Sequence, residues 1–191
     1  MIYMGTGGDF APHTPRIDAL MGQRLRARGF LGTRDEAVCL YGTRSMAQAL
    51  EYARDEKQEY LKILSPQAGS VVSWASGITD LLLMFELHLQ EIHWGGRFSY
   101  KGVRFETLAR DIAGDVSIAE TYLFHGRQKK AIGAMIDMLL DEVDIIEHKV
   151  TDEASLMDAI GDHQGELWIT GPCLVTAYEA RPLQGLDTLP A

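Results

Sequence analysis

Asp162-His163-Gln164-Gly165-Glu166-Leu167-Trp168-Ile169-Thr170-Gly171-Pro172 sets a polar, carboxylate-bearing loop directly ahead of a short apolar run that stops at Gly-Pro. Leu167-Trp168-Ile169 has the residue types of a pleated surface and ends in turn chemistry, so it reads as a strand. A carboxylate at the mouth of a strand is held by the sheet while still facing a cleft. That position makes Glu166 the first candidate for an acid with a chemical role, and alternation points Gln164 the same way.

Working outward from this stretch, Cys173 to Tyr178 reads as a final strand. The tail 181–191, with two prolines and no pattern, reads as loose. Upstream, Glu153 to Ile160 is a short helix and Val143 to Val150 a strand. Residues 103 to 140 are helical in three pieces divided by Gly114 and Gly126, the last with Ile132, Met135, Ile136, Leu139 and Leu140 on one side. A further helix starts at Thr79 as N-cap, carries Leu81, Leu82, Phe85, Leu89 and Ile92 as its apolar stripe, and ends at Gly95-Gly96. Its His88 and His93 are five apart and do not share a face, so they make no metal pair.

The N-terminal third is read in shorter pieces. Ile2-Tyr3-Met4 is a strand running into Gly5-Thr6-Gly7-Gly8, where Phe10 breaks the G-x-G-x-x-G spacing and no Gly-Lys-Ser/Thr makes a Walker loop. Thr14 as N-cap with Pro15 at the first helical position predicts a helix over 15 to 22. Arg24, Arg26 and Arg28 alternate and share a face if extended, followed by Phe30-Leu31 as a second strand. Thr33 with Asp35-Glu36 marks a helix start, Ala37 to Tyr41 a short helix closed by Gly42, and Ser45 to Arg54 another capped by Ser45 or Thr43. Tyr60 to Leu64, stopped by Ser65-Pro66, alternates like a strand. The order is α+β in one domain over 1 to 180, with no repeat or linker dividing it.

Composition narrows the function classes. The 191 residues are 46% hydrophobic and 24% charged, and no apolar run approaches the ~20 residues of a membrane span. The N-terminus lacks a signal-peptide pattern, and Cys39 and Cys173 make no redox or metal spacing, which fits a cytoplasmic protein with reduced thiols. A net charge of −9 argues against general nucleic-acid binding. Charge is uneven, however: residues 1–54 hold seven arginines, no lysine and five acids, net +2, which leaves −11 for the rest. Arginine without lysine suits planar, bidentate recognition of phosphate or carboxylate.

Taken in order, Tyr3-Met4-Gly5-Thr6, then Gly32-Thr33 before Ala37 and Tyr41, then a helical middle, then Gln164-Gly165-Glu166 on a late strand resemble the ADP-ribosyltransferases. A narrower resemblance is to small phage anti-CRISPR members of that family, through Gly29-Phe30-Leu31-Gly32, Leu64-Ser65-Pro66, and Asp162 through Trp168 to Gly171-Pro172. The resemblance implies a split β-sheet with a helical middle, and NAD as substrate. It further implies mono-ADP-ribosyl transfer to a macromolecule, first a protein, in phage–bacterium conflict as an anti-CRISPR or toxin-like factor. A catalytically silent binding or inhibitor protein on the same fold is the alternative, as is transfer to a nucleic acid. Glu166 is then the catalytic carboxylate with Asp162 as its rival, and Gln164 orients the nucleophile. The resemblance makes Tyr3, Gly5, Thr6, Thr33 and Tyr41 NAD-binding, with the Gly5 backbone on the nicotinamide carboxamide and Tyr41 or Tyr3 stacked on its ring, and one of Arg16, Arg26 or Arg28 on the diphosphate. Met4 stands where most of the family has Arg or His, so the usual first-strand cation is missing. No metal is implied.

Overall fold

The computed structural model describes residues 1–6, 14–37, 39–49, 60–96 and 99–179. The expected tail 181–191 lies outside them, as do Gly7, Gly8, Phe10 and His13 of the N-terminal glycine stretch and the second half, 50–54, of the helix expected over Ser45 to Arg54.

The architecture is mixed α and β, with small antiparallel sheets. One sheet has three strands, β1 (Ile2–Thr6), β3 (Tyr60–Pro66) and β9 (Cys173–Glu179), in the order β1-β3-β9. The other has β2 (Cys39–Gly42), β4 (Val71–Ala75), β7 (Ile145–Lys149) and β8 (Leu167–Thr170), in the order β2-β8-β4-β7. The two meet edge to edge at one bridge, where Tyr3 N donates to Thr43 O at 2.7 Å and Thr43 N returns to Tyr3 O at 2.8 Å. A short hairpin of β5 (Ser99–Tyr100) and β6 (Val103–Arg104) stands apart from both.

Helices cover the second sheet. They are α1 (Pro15–Ala27), α2 (Leu81–His93), α3 (Glu106–Ile112), α4 (Val116–Phe124), α5 (Lys129–Glu142) and α6 (Glu153–Ile160). Alternation along β8 and β4 sorts two cores. Trp168 and Ala75 turn to a cluster with α1 to α5, while Leu167, Ile169, Val72 and Trp74 turn to Ile2, Met4 and Leu64 of the first sheet and Leu156 and Ile160 of α6. The centre of the four-stranded sheet, β4 and β8, is therefore a middle layer buried on both faces, with half-buried β7 at its edge.

Several elements depart from their sequence reading. α1 runs on to Ala27 instead of stopping near residue 22: Gly22 is kept within the helix, where a Cβ would meet Asp35 Oδ1 at 1.7 Å, and Gly29, with a φ of 93°, ends it. The alternating arginines are therefore helical: Arg24 and Arg28 are four apart and both reach Asp137, while Arg26 turns to Asp35 and Glu36. Phe30-Leu31 is not a strand but part of the connection, which β7 holds through Glu147 Oε2, accepting from Leu31 N and Gly32 N, each at 2.7 Å. Only Arg34–Glu36 is helical after Thr33, as one 3-10 turn. The helix expected over Ala37 to Tyr41 and closed by Gly42 gives way to strand β2 at Cys39–Gly42, because pairing with β8 and the bridge to β1 override weak local preference. β4 has no counterpart in the sequence reading. The cap of α2 is Asp80, not Thr79, with Leu83 N donating to Oδ1 at 3.0 Å. Ser45 does cap the turn that follows it, with Gln48 N donating to its Oγ at 3.2 Å.

Candidate functional site

The stretch 164–166 runs alongside the loop between β4 and α2. Glu166 N donates to Thr79 O at 2.8 Å, and Gly165 lies so close to this loop that a Cβ there would sit 2.1 Å from Ile78 O. Glycine is required at 165 for that approach. The Glu166 side chain then turns inward and is 6% exposed. Its Oε1 accepts from Arg34 Nη1 at 2.5 Å, Trp168 Nε1 at 2.9 Å and Leu81 N, the first residue of α2, at 3.1 Å. The carboxylate therefore caps a helix N-terminus as well as pairing a guanidinium. Its Oε2 is enclosed with no hydrogen-bond partner. Burial pushes the carboxyl above its ordinary value, against the pull of Arg34.

Arg34 extends the cluster. Its Nε donates to Asp18 Oδ1 at 2.8 Å, its Cζ lies 5.6 Å from the Trp168 ring centroid, and Asp18 is reached by the Thr14 hydroxyl at 3.4 Å. Asp18, Arg34 and Glu166 are all buried, so α1, the 3-10 turn and the mouth of β8 are joined by one enclosed charge network. The expectation that Glu166 faces a cleft is corrected here: the side chain points into the core because three donors await it there.

Its neighbours stay outside. Asp162 and Gln164 are exposed, with Gln164 Nε2 donating to the Asp162 carbonyl at 3.2 Å. Between them His163 is half-buried, its ring 6.0 Å from that of Trp74 and its Nε2 3.3 Å from Glu166 O.

The N-terminal candidates assemble around β2. Tyr3 faces Thr43 across the bridge and Gly42 faces Leu167 across β8, so the first strand and the late carboxylate strand lie on either side of β2. Gly42 permits this packing, since a Cβ would meet Ile2 Cγ2 at 2.7 Å. Gly5 and Thr6 pair with Leu61 and Tyr60, and Tyr41 lies within β2. Met4 is buried in the second core. Thr33 is fully buried, donating to Asp35 Oδ1 at 2.8 Å and accepting from Arg26 Nη1 at 2.9 Å.

The three candidate diphosphate cations are each engaged. Arg26 is held by Asp35 and Glu36, and Arg28 by Asp137 and Asp141. Arg16 pairs with Glu120 at 3.1 Å and lies 4.4 Å over Phe124, with its side chain 44% exposed. Sequence reasoning missed Arg34, Asp18 and Glu120 as site residues. Glu120 accepts from Arg16 N at 3.0 Å and Ile17 N at 3.0 Å, capping α1 from another helix where Thr14 makes no side-chain cap. Arg34, directly after Thr33 and ahead of two acids, was the arginine whose setting signalled a fixed position.

Among the described residues no cluster of His, Cys, Asp or Glu is arranged for a metal, and no helix is long and apolar enough to cross a membrane. Comparisons with family profiles, curated proteins and solved structures give no match.

Proposed function

We propose that this protein is a mono-ADP-ribosyltransferase, cleaving NAD and passing ADP-ribose to a macromolecular target, a protein in the first instance, in phage–bacterium conflict. The observation that carries the reading is the strand order at the seam: Tyr3 opposite Thr43 and Gly42 opposite Leu167 gather the glycine-ended first strand and the late carboxylate strand about β2. Two antiparallel sheets meeting along that seam support the split-sheet architecture such a transferase uses.

The reaction breaks the bond between ribose C1′ and the pyridinium nitrogen, whose electron pair leaves with neutral nicotinamide. A carboxylate beside the oxocarbenium-like ribose stabilises the developing positive charge. In this reading Asp162 supplies it, because it is exposed, while the charge of Glu166 is enclosed and already met by Arg34. Gln164 orients the acceptor, and Arg16, the most exposed of the three candidate arginines and paired among the described residues with Glu120 alone, meets the diphosphate. Incubation with NAD, with and without bacterial lysate, followed by measurement of free nicotinamide, tests the activity; no release in either case rejects it.

A second reading, a silent binding protein on the same fold, is favoured by the burial of both Met4 and Glu166. It requires that millimolar NAD leave the Tm unchanged.

A further inference from the structure

We propose that His163 is the general base of this site, its Nδ1 lone pair taking the proton from the acceptor group as that group attacks ribose C1′. The inference rests on the transferase reading above. The carbonyl of Glu166, 3.3 Å from Nε2, can only accept, so the ring hydrogen of a neutral imidazole belongs on Nε2. Nδ1 then carries the lone pair, and it has no hydrogen bond among the described residues and is not among the enclosed side-chain atoms that lack a partner.

The ring is also held in place. It packs against Trp74 at 6.0 Å between centroids, and the space for its other edge exists because residue 165 is glycine, where a Cβ would come 2.8 Å from both Cε1 and Nε2. A base fixed on two sides and open on a third, between exposed Asp162 and Gln164, suits proton removal from a large acceptor.

Protonation state agrees with the geometry. Burial pushes the imidazole below its ordinary value, opposed by the hydrogen bond to Glu166 O and by the charge of Asp162. From β4 the neutral Trp74 packs on the ring and the 164–166 turn offers the Glu166 carbonyl, and among the described residues Asp162 is the charged group that acts on the imidazole. The imidazole is therefore neutral near pH 7. In the step itself the acceptor's electron pair forms the bond to C1′, the C1′–nitrogen pair leaves on nicotinamide, and the acceptor proton passes to Nδ1 and then to solvent.

The test combines nitrogen-15 NMR of the imidazoles with the pH profile of nicotinamide release, using NAD and water as the acceptor. Expected are the Nε2–H tautomer and a His163 midpoint below about 6.5, with wild-type release falling as pH drops through that midpoint. His163→Gln should slow release about 100-fold, lose that acid limb and recover part of the rate with added imidazole, at unchanged Tm. The Nδ1–H tautomer overturns the proposal, and so does a variant with the wild-type rate and profile. Should wild type release no nicotinamide at any pH, with water or with bacterial lysate as the acceptor, the transferase reading itself falls and takes the base with it; an active wild type beside an equally active variant sinks the base alone.

Discussion

Arg34 and Glu166 are 132 residues apart in sequence and meet inside the molecule, Nη1 2.5 Å from Oε1, with side chains 0% and 4% exposed. Asp18 binds the other edge of the same guanidinium. Two carboxylates around one buried cation form a network in which each charge depends on the others for compensation, and removing one leaves the rest desolvated.

Arg34→Met should therefore lose about 3–5 kcal/mol of stability, since Asp18 and Glu166 would both stay buried without a counter-charge. Urea denaturation measures this. A loss under about 1 kcal/mol would mean the network is not enclosed in solution.

Stability should also respond to pH through Glu166. Its carboxyl is pushed above the ordinary value by burial, so the folded chain holds that proton more tightly than the unfolded one. The contribution is complete below the unfolded value of about 4.3 and is lost as pH rises through the folded value. Glu166→Gln cannot titrate, so its stability should decline less than that of wild type as pH climbs out of the weakly acidic range. Parallel stability–pH curves for the two proteins would reject the raised value.

Activity and stability should separate between the two late acids. Asp162→Asn is expected to cut nicotinamide release about 100-fold or more with Tm unchanged. Glu166→Gln, in contrast, weakens the ion pair and the α2 cap and should lower Tm first. Full release by Asp162→Asn would return the catalytic role to Glu166.

Glu120 offers a check on the packing of α1 and α4. Glu120→Ala removes the acceptor for two N-terminal amides of α1 and should cost about 1–2 kcal/mol, whereas Glu120→Gln keeps one acceptor oxygen and should cost less. Equal losses for the two would show that side-chain volume, not capping, matters there.

What was legible in the sequence follows from how each element is buried. Strands β3 and β7, helices α2 and α6, and the glycine-divided helical middle carry ordinary period-2 or period-3.6 patterns and lie where those patterns put them, while β8, though buried on both faces, was marked by its Leu-Trp-Ile run and the Gly-Pro stop that separates it from β9. β4 hid because Val71-Val72-Ser73-Trp74-Ala75 is buried on both faces, which erases the alternation that marks a one-sided strand. α1 was cut short because alternating arginines imitate an extended segment, and a helix that turns Arg24 and Arg28 to Asp137 and Arg26 to Asp35 tolerates the same spacing. At the site, the importance of residues 162–168 was readable, but the direction of Glu166 was not. That direction is decided by Arg34, Trp168 and the start of α2, and pairing across 132 residues leaves no local trace.

The three-stranded sheet places β3 between β1 at the beginning of the chain and β9 near its end, with Pro66 registered against Cys173 and Tyr60 against Glu179. The central strand waits for more than a hundred residues before its second neighbour exists. During synthesis, then, one edge of β3 stays unpaired until residues 173–179 have been made, while α1 to α5 can already collapse on one another. Closure of this sheet is expected to be the late, slow event in folding, and truncation within β9 to be strongly damaging, because it strips one whole edge of β3 of its partner.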